Sequence, residues 1–130
     1  MNKDIIKEQV RYNVVCFLNT FCMHNDSKEM RNCIERNAEN ITAYADIDRS
    51  ITIQTIVETI CDTKAKIIYR NLSDILNLVL YTGLYWKAHR VNLATHQAIV
   101  YLTPRDGTHY ELIGNWDGNQ YNWTYQHKAI

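Results

Sequence analysis

The sequence predicts an α+β fold in which a helical N-terminal part packs on a C-terminal antiparallel β-sheet. Two observations carry the α+β class. Apolar residues recur with the period of a helix up to residue 82 and with a period of two beyond it. All four glycines (Gly83, Gly107, Gly114, Gly118) and the only proline, Pro104, lie in the second part, where successive hairpins need them. At 130 residues and 46% apolar content the chain has the length and core of one domain, with residues 1–82 helical and 83–130 forming the sheet.

Each element follows from its pattern. Ile6, Val10, Val14, Phe17 and Phe21 keep one apolar stripe on a helix placed within residues 4–23. Asn25, Asp26 and Ser27 offer caps for a second helix, marked by Met30, Ile34, Ala38 and Ile41 and ending near Tyr44. A third begins near Ser50 and turns Ile53, Ile56, Val57, Ile60 and Cys61 to one side. Lys66 to Tyr69 is a candidate short strand. Ser73 caps a fourth helix through Ile75, Leu76, Val79 and Leu80, and Gly83 supplies the left-handed residue that ends it. Strands follow over 85–93, 98–103, 109–114 and 121–126, separated in part by the turn sequences Thr103-Pro104-Arg105-Asp106-Gly107 and Asn115-Trp116-Asp117-Gly118-Asn119. In the last strand Tyr121, Trp123 and Tyr125 alternate with Asn122, Thr124 and Gln126, which makes one face aromatic and buried.

Composition narrows the function classes. Fourteen basic and fourteen acidic residues balance, so the chain lacks the basic excess of a nucleic-acid binder. No apolar run reaches the length of a membrane span, and the N-terminus carries no export signal. A cytoplasmic protein with no membrane or nucleic-acid partner is expected, its four cysteines reduced. Fifteen Ile beside 13 Asn suit an A+T-rich coding sequence, as in a virus or phage. Composition leaves the oligomeric state open.

Two segments carry candidate chemistry. Cys16-Phe17-Leu18-Asn19-Thr20-Phe21 holds a cysteine whose reactivity depends on where its helix begins. A start near Asn13 places Cys16 in the first turn, where unpaired N–H groups and the helix dipole favour thiolate; a start near Asp4 leaves it an inert mid-helix residue. The second segment runs from His96 to Trp116. As a hairpin it sets His96, at the entry of one strand, beside Asn115, at the exit of the next, the base and orienting amide that thiol catalysis uses. Cys16, Cys22, His24 and Cys33 lack the paired spacing of structural zinc sites, so no metal and no cofactor are expected. The aromatic row Tyr121, Trp123, Tyr125 lacks the flanking basic residues of a stacking platform for single strands.

In the order Cys, helices, His opening a strand and Asn closing the next, these segments resemble the papain-like cysteine peptidases. The Cys segment looks most like the box of viral leader proteases and ubiquitin-specific proteases. The resemblance implies a peptide or isopeptide substrate, with Cys16 as nucleophile, His96 as general base and acid, Asn115 orienting the imidazole, and Gln9 or Asn13 contributing to the oxyanion hole. A rival register resembles the Gly-His-Tyr box of ubiquitin-specific and ovarian-tumour-type proteases, in Gly107-Thr108-His109-Tyr110, and makes His109 the base. The expectation from the resemblance is a small cysteine peptidase or deubiquitinase-like hydrolase. The alternative is a non-enzymatic interaction module, such as a viral or phage inhibitor of a host protein, with an exposed patch around Trp86, Trp116 and Trp123.

Overall fold

The computed structural model describes residues 2–21, 27–83, 86–92, 97–102 and 108–129. Four helices come first: α1 (Lys3–Thr20), α2 (Ser27–Ile47), α3 (Arg49–Asp62) and α4 (Leu72–Tyr81). Strands β1 (Trp86–Asn92), β2 (Gln97–Leu102), β3 (Thr108–Trp116) and β4 (Tyr121–Ala129) follow, paired antiparallel in the order β1-β2-β3-β4. The α+β class and the meander are as the sequence predicts.

The predicted stripe of α1 is buried in full, and so are Met30, Ile34, Ala38 and Ile41 of α2 and Ile53, Ile56, Val57 and Ile60 of α3. Caps decide where two of the helices begin. Asn2 Oδ1 accepts from the Asp4 amide at 2.7 Å, so α1 starts at Lys3 and not at Asn13. Asp48 Oδ1 accepts from the Ile51 amide at 3.1 Å and separates α3 from α2, which runs on past Tyr44 to Ile47. No strand forms at Lys66 to Tyr69. Instead the Ile67 carbonyl takes the Tyr121 amide at 2.8 Å, and a 3-10 turn at Tyr69–Asn71 leads into α4. Ser73 therefore lies inside the first turn of α4, and Asn71 Oδ1 accepts from the Ile68 amide at 3.0 Å. Leu80, expected on the buried stripe of α4, is exposed, and Leu78 is buried in its place. Gly83 ends the helix at φ 71°, as predicted.

Alternation along the strands sorts the sheet into two faces. Ala98 and Val100 of β2, Tyr110 and Leu112 of β3, and Tyr121 and Trp123 of β4 are buried in one core with the helices. Gln97, Ile99, His109, Glu111, Ile113, Asn115 and Asn122 occupy the outer face. The sheet meets the helical layer chiefly where β4 packs on α3, whereas α1 packs on α2 and α3. Opposite Gly114, its partner in the ladder, stands Trp123. A methyl group on Gly114 would come within 2.9 Å of the indole Cη2, so only a residue without a side chain admits the ring.

The Gly114–Trp123 contact yields a stability prediction. Gly114→Ala is expected to destabilise the fold by about 1–3 kcal/mol, because the buried indole must leave its place. Urea unfolding of the two proteins, compared by midpoint at unchanged slope, measures it.

Candidate functional site

Cys16 is the fourteenth residue of α1. Its backbone lies within the helical ladder, and its carbonyl accepts a second bond from Thr20 Oγ1 at 2.9 Å. The first-turn position that would favour thiolate is thus occupied by Asp4, and Cys16 is a half-buried interior residue. Asn13, a candidate helix cap and oxyanion donor, is buried between helices. Its Nδ2 donates to the Gln9 carbonyl at 2.8 Å, and its Oδ1 accepts from Asn40 Nδ2 at 3.0 Å. Both ends of the amide are therefore committed to α1 and α2.

The other candidates lie on the sheet. His96 falls outside the described residues, as do Cys22 and His24. Asn115 is exposed on the outer face, opposite Gln97 and Asn122 in the ladder, and its Oδ1 accepts from Gln97 Nε2 at 3.2 Å. His109, also on the outer face, sets Nε2 3.4 Å from Glu111 Oε1, an atom that Lys128 Nζ approaches at 3.3 Å. Alternation turns His109 and Asn115 away from the helical layer that contains α1. Among the described residues, the structure does not bring Cys16 together with Asn115 or His109.

The remaining described thiols have structural surroundings. Cys33 is buried between α1 and α2, with Sγ 3.2 Å from Thr20 Oγ1 and 3.3 Å from Asn37 Nδ2. Cys61 is pushed up to about 12 by burial and, after that, by the negative charges of Asp62 and Glu58. Among the described residues no cluster of three or more His, Cys, Asp or Glu side chains is placed to hold a metal, and no helix is long and apolar enough to cross a membrane.

The surface holds a feature outside the two candidate motifs. Ile5, Tyr12 and Val15 are exposed on α1, Tyr12 by 65%. At 100° per residue they share one side with Cys16, opposite the buried stripe. The signal in the sequence is three apolar residues spaced seven and three apart, with the exposed Glu8 between Ile5 and Tyr12 on the same side. The expected tryptophan patch is not built as such. Trp123 is buried, Trp116 is partly buried against the core and meets Tyr121 edge-on, and the Trp86 side chain is outside the description.

The raised thiol predicts a pH dependence. Cys61 keeps its proton in the folded chain well above the 9.0 of an ordinary thiol, whereas the unfolded chain ionises near that value. Its stabilising contribution is complete below about pH 9 and declines as pH rises from there toward about 12. Urea unfolding at increasing pH is expected to show this decline, and Cys61→Ala to flatten it. No protein-family model, no curated protein and no solved structure matches the chain.

Proposed function

We propose that the chain is a non-enzymatic interaction module that binds a partner protein on the outer face of α1. The observation that carries this reading is the exposed apolar row Ile5, Tyr12 and Val15 on a helix whose opposite side is fully anchored in the core. Such a row, at helical spacing on a rigid element, suits an apolar groove on a partner, with Tyr12 as the large amphipathic anchor. The reading also accounts for the cysteine box. Phe17, Leu18 and Phe21 are core residues and Thr20 bonds back to the Cys16 carbonyl, so packing alone explains why these residues stand together.

Two measurements test it. In a binding assay with a partner captured by photo-crosslinking from position 12, Tyr12→Ala is expected to weaken binding by about 2 kcal/mol or more, roughly thirtyfold. Its thermal melt should stay close to that of the unchanged chain, because Tyr12 lies outside the core. A thiol-reactive ubiquitin or peptide probe addresses the peptidase reading. Labelling that is present in the unchanged chain and lost in Cys16→Ala would favour the hydrolase and remove the module.

A further inference from the structure

The two edges of the sheet differ. β1 pairs with β2 through a register shift between Trp86 and Ala88, a bulge of the kind that blunts an edge. β4 pairs with β3 without interruption from Tyr121 to Ala129 and contains no proline. The Tyr121 amide donates to the Ile67 carbonyl, away from β3. Because outward and inward pairs alternate along an antiparallel ladder, Trp123, Tyr125 and His127 also turn their N–H and C=O groups to the outer edge. The Ile67 segment covers the start of that edge. Beyond it, Thr124, Tyr125, Gln126, His127 and Lys128 are exposed without a break, on both faces of the strand. Tyr125 and His127 belong to the face that is buried elsewhere in the sheet, so this end of β4 projects past the helical cover.

We propose that this edge pairs antiparallel with the same edge of a second copy, joining two four-stranded sheets into one about a two-fold axis at Gln126. Symmetry and chemistry select that register. The exposed window from Thr124 to Lys128 is centred on Gln126. Setting Gln126 opposite its symmetry mate brings Tyr125 opposite the partner copy's His127, and each such pair exchanges two backbone bonds. Tyr125 then lies beside an imidazole that already stacks on Tyr110 in its own chain, with ring centroids 4.1 Å apart, and the aromatic row continues across the joint. Charge is compatible too. Lys128 falls opposite Thr124 rather than opposite its own copy, and its ammonium approaches Glu111 within its own chain at 3.3 Å. Opposed residues project to the same side, so both helical layers lie on one face of the joined sheet.

Sedimentation from about 1 μM to about 1 mM is expected to show a monomer passing to a dimer. Amide exchange at Tyr125 and His127 should slow as the dimer forms. Gln126→Lys and Gln126→Glu each place like charges opposite one another and are expected to weaken the dimer about two- to fivefold, whereas their equimolar mixture restores it. His127→Pro removes an outward N–H that plays no part in the ladder with β3. It should weaken dimerisation roughly thirtyfold while the far-ultraviolet spectrum stays that of the folded chain. A single-chain mass at every concentration, with rapid exchange at Tyr125, overturns the proposal and leaves the edge open to a strand from another protein. A dimer that neither charge substitution nor proline weakens overturns it as well.

Discussion

The packing of β4 on α3 is the constraint on which the rest of the structure depends, because the sheet is joined to the helices chiefly there. Tyr121 and Trp123 bring two large aromatic side chains into the common core, and the Tyr121 amide is tied to Ile67 between α3 and α4. The joint dictates its neighbours. The indole can lie flat in the sheet face only if the opposite residue has no side chain, and Gly114 is that residue. Trp123 Nε1 is buried without a hydrogen-bond partner among the described residues, a penalty on the order of 1–3 kcal/mol that the burial of the ring offsets. From this point outward β3, β2 and β1 are added by successive pairing, and the inner faces of β3 and β2 inherit the alternation set by β4.

Within the helical layer the same logic explains an unusual load of buried polar residues. Asn13, Asn37, Thr20, Thr52, Thr55 and Thr59 are all buried, yet each has a bonding partner. The threonines of α3 return their hydroxyls to carbonyls four residues earlier, which satisfies the oxygen locally and leaves the methyl for packing. The asparagines bridge helices, Asn40 to Asn13 across α1 and α2, while Asn37 joins the Cys33 thiol to its own helix. A buried amide that finds its partner adds only about 1 kcal/mol net, but one whose partner is removed becomes a larger penalty. These contacts therefore fix which faces of α1 and α2 meet more than they add stability. They also hold Asn13 in a structural role that is incompatible with donating to a substrate.

Much of the fold was legible because its signals are local and periodic. The α1 stripe from Ile6 to Phe21 and the Gly83 terminator can be read directly, since burial in a helix or strand imposes its period on the sequence. The structure departs from the sequence pattern where the deciding partner is distant. Ile67 looks like strand, but its carbonyl accepts a bond from Tyr121 at the start of β4, and Leu80 looks like core but is exposed on α4. The candidate site was less legible for a further reason. Cys16 reads as a first-turn cysteine only if Asn13 is the cap, yet Asn2 is an equally good cap eleven residues earlier in the chain. Asn115 and His109 stand at suggestive positions along β3, but position along a strand says nothing about face. The face is set by Tyr110 and Leu112, which are buried and so turn His109 and Asn115 outward.

The two surfaces left unsatisfied bear on each other. The apolar row of α1 belongs to the helical layer, and the outer edge of β4 belongs to the sheet. In the proposed edge-joined dimer the helical layers share a side, and the assembly carries two copies of the α1 row. A partner that is itself paired, or that repeats along a filament or surface, would then engage both rows. The second contact becomes intramolecular and can raise overall affinity by about 10²–10⁴ without any new residue taking part. A single partner gains nothing from this arrangement. With the binding face proposed at Ile5, Tyr12 and Val15, such a module would discriminate between partners by their multiplicity rather than by the fit of one site. Its response would depend on its own concentration, because only the dimer carries two faces.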